Sequence, residues 1–160
     1  MADADTEFIQ NALAEARAAA EAGEVPIGAV AVVNGEIVGR GQNRVLRNLD
    51  PTAHAEIIAM RDAALALGNY RLTGCELFVT LEPCAMCAGA MIHARLKRLV
   101  YGARDPKAGA VGSVLEVLNH RRLNHRMEVT AGVLEDECGE LLREFFRQRR
   151  GQSDAGEFLD

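Results

Sequence analysis

Residues 75–95 read "CELFVTLEPCAMCAGAMIHAR". The opening seven, Cys75 to Leu81, form a short apolar run bounded by Gly74 and Pro83, which predicts a buried strand. Residues 84–95 continue as a helix. A strand feeding a helix is the building unit of an α/β domain, and the alternation repeats on both sides of this stretch. Upstream, residues 6–22 place Phe8, Ile9, Ala12, Leu13, Ala16, Ala19 and Ala20 at helical spacing, with Thr6 as expected N-cap and Gly23 as stop. "PIGAVAVVNGEIVGRGQN" (26–43) gives two β-rich runs around Asn34-Gly35, a hairpin signal because both turn positions need positive φ. The chain restarts at Pro51-Thr52, and 53–67 is an Ala/Leu-rich helix closing at Gly68.

Downstream, "RLVYGA" (98–103) and "MEVTAGV" (127–133) read as strands. Residues 134–150 read as a closing helix with Leu134, Cys138, Leu141, Leu142 and Phe145 on one side. Adjacent Phe145 and Phe146 point to different sides, so one is expected in the core and the other exposed. The expected fold is α/β, one domain over 1–150, with helices on both faces of a mixed sheet. The polar tail "GQSDAGEFLD" (151–160) is expected to be mobile.

The chain has 160 residues, 49% hydrophobic and 26% charged, as a single soluble domain does. Its longest apolar stretch, Val25 to Val33, is broken by Pro26 and Gly28 and is far short of the ~18 residues a membrane span needs. "MADADTEF" lacks the apolar core of a secretory signal, so a cytoplasmic location is expected. The net charge of −5 argues against nucleic acid. Its distribution does not: acids dominate residues 1–30, whereas bases from Arg95 to Arg126 outnumber Asp105 and Glu116. That basic stretch is either a solvated loop or a polyanion-facing surface.

Four cysteines, Cys75, Cys84, Cys87 and Cys138, are too few and too unevenly placed for a disulfide scaffold. Cys84-x-x-Cys87 alone suits a redox dithiol, half of a structural zinc knot or a catalytic metal site. In all three, Pro83 is expected in the first helical turn, and the helix N-terminus favours thiolates. Cys75 and Cys138 read as buried thiols. His93 sits too late in the helix to join the pair, and His120 and His125 are expected to face water.

The third ligand is expected from "PTAHAEIIAMR": His54 also starts a helix, so two helix N-termini could converge on one metal. Three protein ligands leave one position open, the mark of a catalytic zinc, where bound water ionises near neutral pH. Glu56, two residues on, points elsewhere than His54 on the helix and could move a proton between water and a leaving amine. H-x-E followed by P-C-x-x-C is the known signature of zinc nucleobase deaminases.

The sequence resembles the bacterial tRNA-specific adenosine deaminases of the cytidine-deaminase superfamily over about residues 8–150. The likeness rests on "EVPIGAV", "PTAHAEI", "NYRL", "TLEPCAMCAGAMIHAR", "YGARDPKAGAVGS", "NHR" and "FFRQRR". It implies a three-layer α/β/α cytidine-deaminase-like fold on a five-stranded sheet and a homodimer. It implies Zn²⁺ held by His54, Cys84 and Cys87, with Glu56 as proton shuttle, and adenosine-to-inosine conversion at the wobble position of a tRNA anticodon loop. Asn43 matches a base-contacting asparagine, and Ile27 and Leu81 would line the base pocket. Asp105, Lys107 and Ser113 would hold flanking nucleotides, and Phe146 with Arg149 would grip the RNA loop. On residue type alone, Asn43 and Asp105 are also ordinary turn-formers. The alternatives are a zinc deaminase of free bases or nucleosides, and a non-catalytic zinc RNA-binding module.

Overall fold

The computed structural model describes residues 3–151. Of the tail, only Gly151 falls within that range, so the expected mobility of 152–160 lies outside the described residues. Four helices and five strands follow the predicted order. They are α1 (Ala4–Glu21), β1 (Gly28–Val33), β2 (Glu36–Gln42), α2 (Ala55–Leu67), β3 (Cys75–Leu81), α3 (Ala85–Ala94), β4 (Arg98–Ala103), β5 (Glu128–Ala131) and α4 (Glu135–Arg150).

The strands form one mixed sheet in the order β2-β1-β3-β4-β5. β1 runs antiparallel to β2 and β3, whereas β3, β4 and β5 are parallel. The β1–β2 hairpin turns at Asn34 and Gly35, both at positive φ (51° and 81°), as a tight hairpin requires. Alternation along the strands divides the core. Val30, Val32, Phe78 and Val100 pack with Ile9 and Leu13 of α1 and Cys138 of α4. Ala29, Ala31, Leu77, Val79, Leu99 and Tyr101 pack with Ala59 and Met60 of α2 and Met91 of α3. Full burial of Phe78 or Leu77 contributes about 1.5–3 kcal/mol each. The three-layer α/β/α arrangement follows.

Gly39 and Gly41 bring α2 unusually near the sheet. A Cβ on Gly41 would lie 2.1 Å from the Ala55 carbonyl oxygen, and one on Gly39 would lie 2.4 Å from that of Ala59. Only glycine allows this approach, and it fixes the first turn of α2 against β2.

Several local expectations need correction. The α1 cap is Asp3, not Thr6; the Thr6 amide donates to Asp3 Oδ1 at 2.8 Å. Helix α2 starts at Ala55 because the 43–53 loop is closed by its own hydrogen bonds, such as Arg44 N to Ala53 O at 2.9 Å. Pro83 precedes the N-cap of α3 and is not in its first turn, since Cys84 itself occupies the cap. Phe145 and Phe146 are both half-buried and pack edge-to-face at 5.5 Å. His125 does not simply face water: it is half-buried, with Nε2 2.7 Å from the Leu96 carbonyl oxygen.

Candidate active site

Two helix N-termini converge at the C-terminal end of β3. His54 caps α2 and Cys84 caps α3; both have extended backbones, and neither side chain makes the usual cap hydrogen bond. The side chains that would ordinarily close the caps are thereby free to turn toward each other. His54 Nδ1 lies 3.6 Å from Cys84 Sγ and 3.5 Å from Cys87 Sγ. All three donor atoms fall within 4.8 Å of one another. Tetrahedral zinc, with Zn–N near 2.05 Å and Zn–S near 2.3 Å, demands an N···S separation of about 3.6 Å. The donor set and its spacing therefore fit a zinc ion. Among the described residues, this is the single group of His, Cys and acidic side chains gathered to hold a metal.

The sulfurs are strongly polarised. A hydrogen bond from Cys87 holds the Cys84 thiol down at about 3 against the opposing effect of burial, and His54 adds to the depression. Cys87, as the donor, is pushed upward, with burial acting in the same direction. The hydrogen bond with Cys84 raises the His54 pKa although burial opposes it. Cys75 and Cys138 are buried thiols, pushed up by desolvation to about 11 and about 12.

Glu56 is 4% exposed, and burial lifts its carboxyl to about 7 despite the lowering effects of its own backbone N–H and of His54. A buried carboxyl whose pKa is near neutral, beside a metal-type cluster, is suited to proton transfer in both directions.

Of the expected substrate residues, the structure brings five together. Ile27, Leu81, Asp105, Lys107 and Phe146 line one cleft of about 930 Å³ between the segment before β1, the ends of β3 and β4, the 104–108 loop and α4. Asn43, Ser113 and Arg149 are not on its walls. Asn43 is 6% exposed and directly follows β2, its amide bonded to the Ile27 carbonyl oxygen at 3.1 Å. Arg149 points to the other side of α4, donating to the Gly23 carbonyl oxygen and lying over the Phe145 ring at 4.7 Å. Asp105 accepts from the amides of Lys107 and Ala108, the turn-forming role open to it from residue type.

Two buried acids are central here and were not singled out by sequence reasoning. Glu82 is 2% exposed and accepts from the amides of Asp105 (3.0 Å), Val111 (3.0 Å) and Ser113 (3.1 Å) and from the Ser113 hydroxyl (2.5 Å). Burial raises its pKa, but these bonds outweigh it and hold the carboxyl below its ordinary value. Ser113 is thus spent on folding the loop. Glu24 plays a similar part for residues 46 and 47. The available signal was an acid pressed against a proline-bounded strand in "GEVP" and "LEP".

A family model described as MafB19-like deaminase matches residues 3–150. The tRNA-specific adenosine deaminase of Bacillus subtilis is 48% identical over 151 residues, covering 94% of each chain. That of Agrobacterium fabrum is 50% identical over 145 residues, covering 91% of this chain and 95% of its own. The chain belongs to the tRNA-specific adenosine deaminase family. Among solved structures, one from a study of A-to-I editing by tRNA:A34 deaminases at the wobble position of transfer RNA superposes with a TM-score of 0.83 at 50% identity. It covers 86% of this chain and 99% of that one. A guanine deaminase from Nitrosomonas europaea superposes with a TM-score of 0.74 at 30% identity, covering 88% and 83%. The family's cytidine-deaminase-like fold is the one described above.

Proposed function

We propose that this chain hydrolyses adenosine to inosine, with release of ammonia, at the wobble position of a tRNA anticodon loop, using Zn²⁺ held by His54, Cys84 and Cys87. The observation that carries this reading is the buried Glu56 carboxyl beside a His/Cys/Cys cluster of zinc-like spacing, within a chain of this family. Zinc, when bound there, supplies a Lewis acid that brings the pKa of water from about 15.7 to near 7. Glu56 accepts the proton of the attacking water as the C6–O bond forms. It then donates a proton to the exocyclic nitrogen as the C6–N bond breaks. Burial serves both halves, since a carboxyl near 7 takes and returns a proton at little cost.

Asn43 faces the substrate base, and Ile27 and Leu81 give it an apolar wall. A loop nucleotide can be splayed into such a site more cheaply than a paired one. The cleft with Lys107, Asp105 and Phe146 takes flanking nucleotides, and Lys107, Arg104, Arg143 and Arg150 supply cations for phosphate along it. Ser113 and Arg149 contribute through the loop and helix that they brace. The domain comprises residues 1–150.

A homodimer agrees with the exposure of Leu49, Leu65 and Tyr70, large apolar side chains that a second copy would cover. A cytoplasmic location agrees with a tRNA substrate and with all four cysteines being free thiols. Among the described residues, no helix is long and apolar enough to cross a membrane.

The test is incubation of the purified protein with a tRNA pool, followed by sequencing for inosine at the wobble position. Glu56→Ala is expected to retain about one zinc per chain and to lose about 100- to 10,000-fold in turnover. Turnover of free guanine without inosine in tRNA would overturn the assignment, and full activity in Glu56→Ala would overturn the mechanism.

A further inference from the structure

Asn43 is held at three of its four polar positions. Its amide donates to the Ile27 carbonyl oxygen at 3.1 Å. Its carbonyl oxygen accepts from Arg47 Nη2 at 2.7 Å, and its side-chain Oδ1 accepts from the Val45 amide at 3.2 Å. The side-chain amide Nδ2 has no acceptor among the described residues, although Asn43 is 6% exposed. No buried side-chain nitrogen or oxygen among the described residues lacks a partner, so Nδ2 keeps contact with solvent and is free to donate to an acceptor that the protein does not supply. The turn that carries it is tied to the chain entering the metal-type cluster, because Arg44 N bonds to the carbonyl oxygen of Ala53, the residue before His54, at 2.9 Å.

Behind that turn lies Glu24, with no exposed surface. Its Oε1 accepts from the Leu46 amide at 3.1 Å, and its Oε2 accepts from the Arg47 amide at 2.9 Å and from Arg47 Nε at 3.0 Å. The same guanidinium reaches on to the Asn43 carbonyl oxygen and to Gln42 Oε1. A buried carboxylate with this many donors fixes each of them, since any donor that left would strand a charge. Glu24 itself stands three residues before Ile27, whose backbone anchors Asn43 from the other side.

We propose that Glu24 is a positioning residue for substrate recognition, acting through Arg47 and the 43–47 turn to aim the Asn43 side-chain amide at an acceptor on the extruded nucleotide. The acceptor class is a purine ring nitrogen or a ribose oxygen, since the open group can only donate. This rests on the tRNA adenosine deaminase reading.

The experiment is a double-mutant cycle on the zinc-loaded protein, with Glu24→Gln, Asn43→Ala and the pair. It follows kcat and KM for an anticodon stem-loop RNA, together with zinc content and Tm. Glu24→Gln is expected to lower kcat/KM about tenfold or more in the wild-type background. In the Asn43→Ala background the further loss is expected to be less than about twofold, with zinc content unchanged in all variants and a similar fall in Tm in both. Arg47→Met, at a partly exposed side chain, repeats the cycle if Glu24→Gln does not fold, with a smaller loss of the same pattern. Equal fold-losses in the two backgrounds would overturn the proposal and leave Glu24 a general stabiliser. Wild-type kcat/KM in Asn43→Ala would overturn it by removing its target. Absence of inosine with the wild-type protein would overturn the functional reading, and the proposal with it.

Discussion

The position of His54 is set by a backbone contact on the far side of α2, and Gly41→Ala tests this directly. The new Cβ would stand 2.1 Å from the Ala55 carbonyl oxygen and 2.5 Å from the Ala59 amide nitrogen. Ordinary contact begins at 3.4 Å, so helix and strand must part by about 1.3 Å. Neither atom belongs to a flexible side chain, and β1 holds the rest of β2 in register. The displacement therefore passes into the first turn of α2, one residue from His54. The His54 Nδ1 to sulfur distances of 3.5 and 3.6 Å leave no slack for such a shift if a tetrahedral ion is to be held. Overpacking of this kind costs about 1–3 kcal/mol of stability, and a misplacement near 1 Å costs about 100-fold in rate. Gly39→Ala is the control. It meets Ala59 O at 2.4 Å and Ala63 N at 2.7 Å, one turn further from the ligand. Both variants should lose stability in urea titration, but Gly41→Ala should lose far more zinc to a competing chelator and far more deaminase activity. If Gly41→Ala matched wild type in zinc retention and rate, the claim that the β2–α2 contact sets the ligand geometry would be refuted.

Other outcomes follow from the buried acids and thiols. Glu82→Gln puts an NH₂ group where only donors point, so it forfeits at least one charge-assisted bond and should destabilise by about 2–4 kcal/mol in urea unfolding at pH 7. A smaller loss, under about 0.5 kcal/mol, would mean that the 105–113 loop is held by other contacts. Glu24 has its folded pKa below the ordinary 4.5, because bonds from Arg47 and Leu46 outweigh the burial that raises it. Its stabilisation is therefore complete above pH 4.5 and is lost as pH falls through the folded value. The stability gap between wild type and Glu24→Gln should be flat from pH 7 to 5 and close below that; a gap that widened in acid would contradict the sign. Chelation of the metal should open Cys84, half-buried and held down at about 3, to a thiol reagent, while Cys75 and Cys138, buried and pushed up to about 11 and about 12, stay unreactive in the native protein. Rapid labelling of all four would contradict that burial.

What was legible in the sequence and what was not divide along the range of the interactions. The hairpin at Asn34-Gly35 and the His54/Cys84/Cys87 set could be read because their chemistry is local or confined to side-chain type. The α1 cap could not, because "DADTEF" offers several capping side chains. Tertiary contact decides among them: Asp5 is committed to Arg98 of β4, which leaves Asp3 to cap. Pro83 departs from its expected place in the first turn for a related reason. A proline before a helix reads as its first residue, but here a cysteine occupies the cap so that its sulfur can face His54. The two buried acids that gather the loops are hidden most completely. Glu24 reaches donors at residues 46 and 47, and Glu82 reaches donors at 105, 111 and 113, none of which any local pattern links to them. Ser113 and Asp105, read from family likeness as nucleotide contacts, direct their own bonds inward to that loop. The metal cluster and these loops are thus held by different bonds, joined where Arg44 N meets Ala53 O and Ala110 N meets Pro83 O. The cluster hangs on two helix caps, whereas the 43–47 and 105–113 loops are gathered by carboxylates beyond the ends of β2 and β3. Neither acid bonds to His54, Cys84 or Cys87, so changes confined to Glu24, Glu82 and their loops are expected to act on what enters the site before they act on the spacing of the H-x-E…P-C-x-x-C side chains.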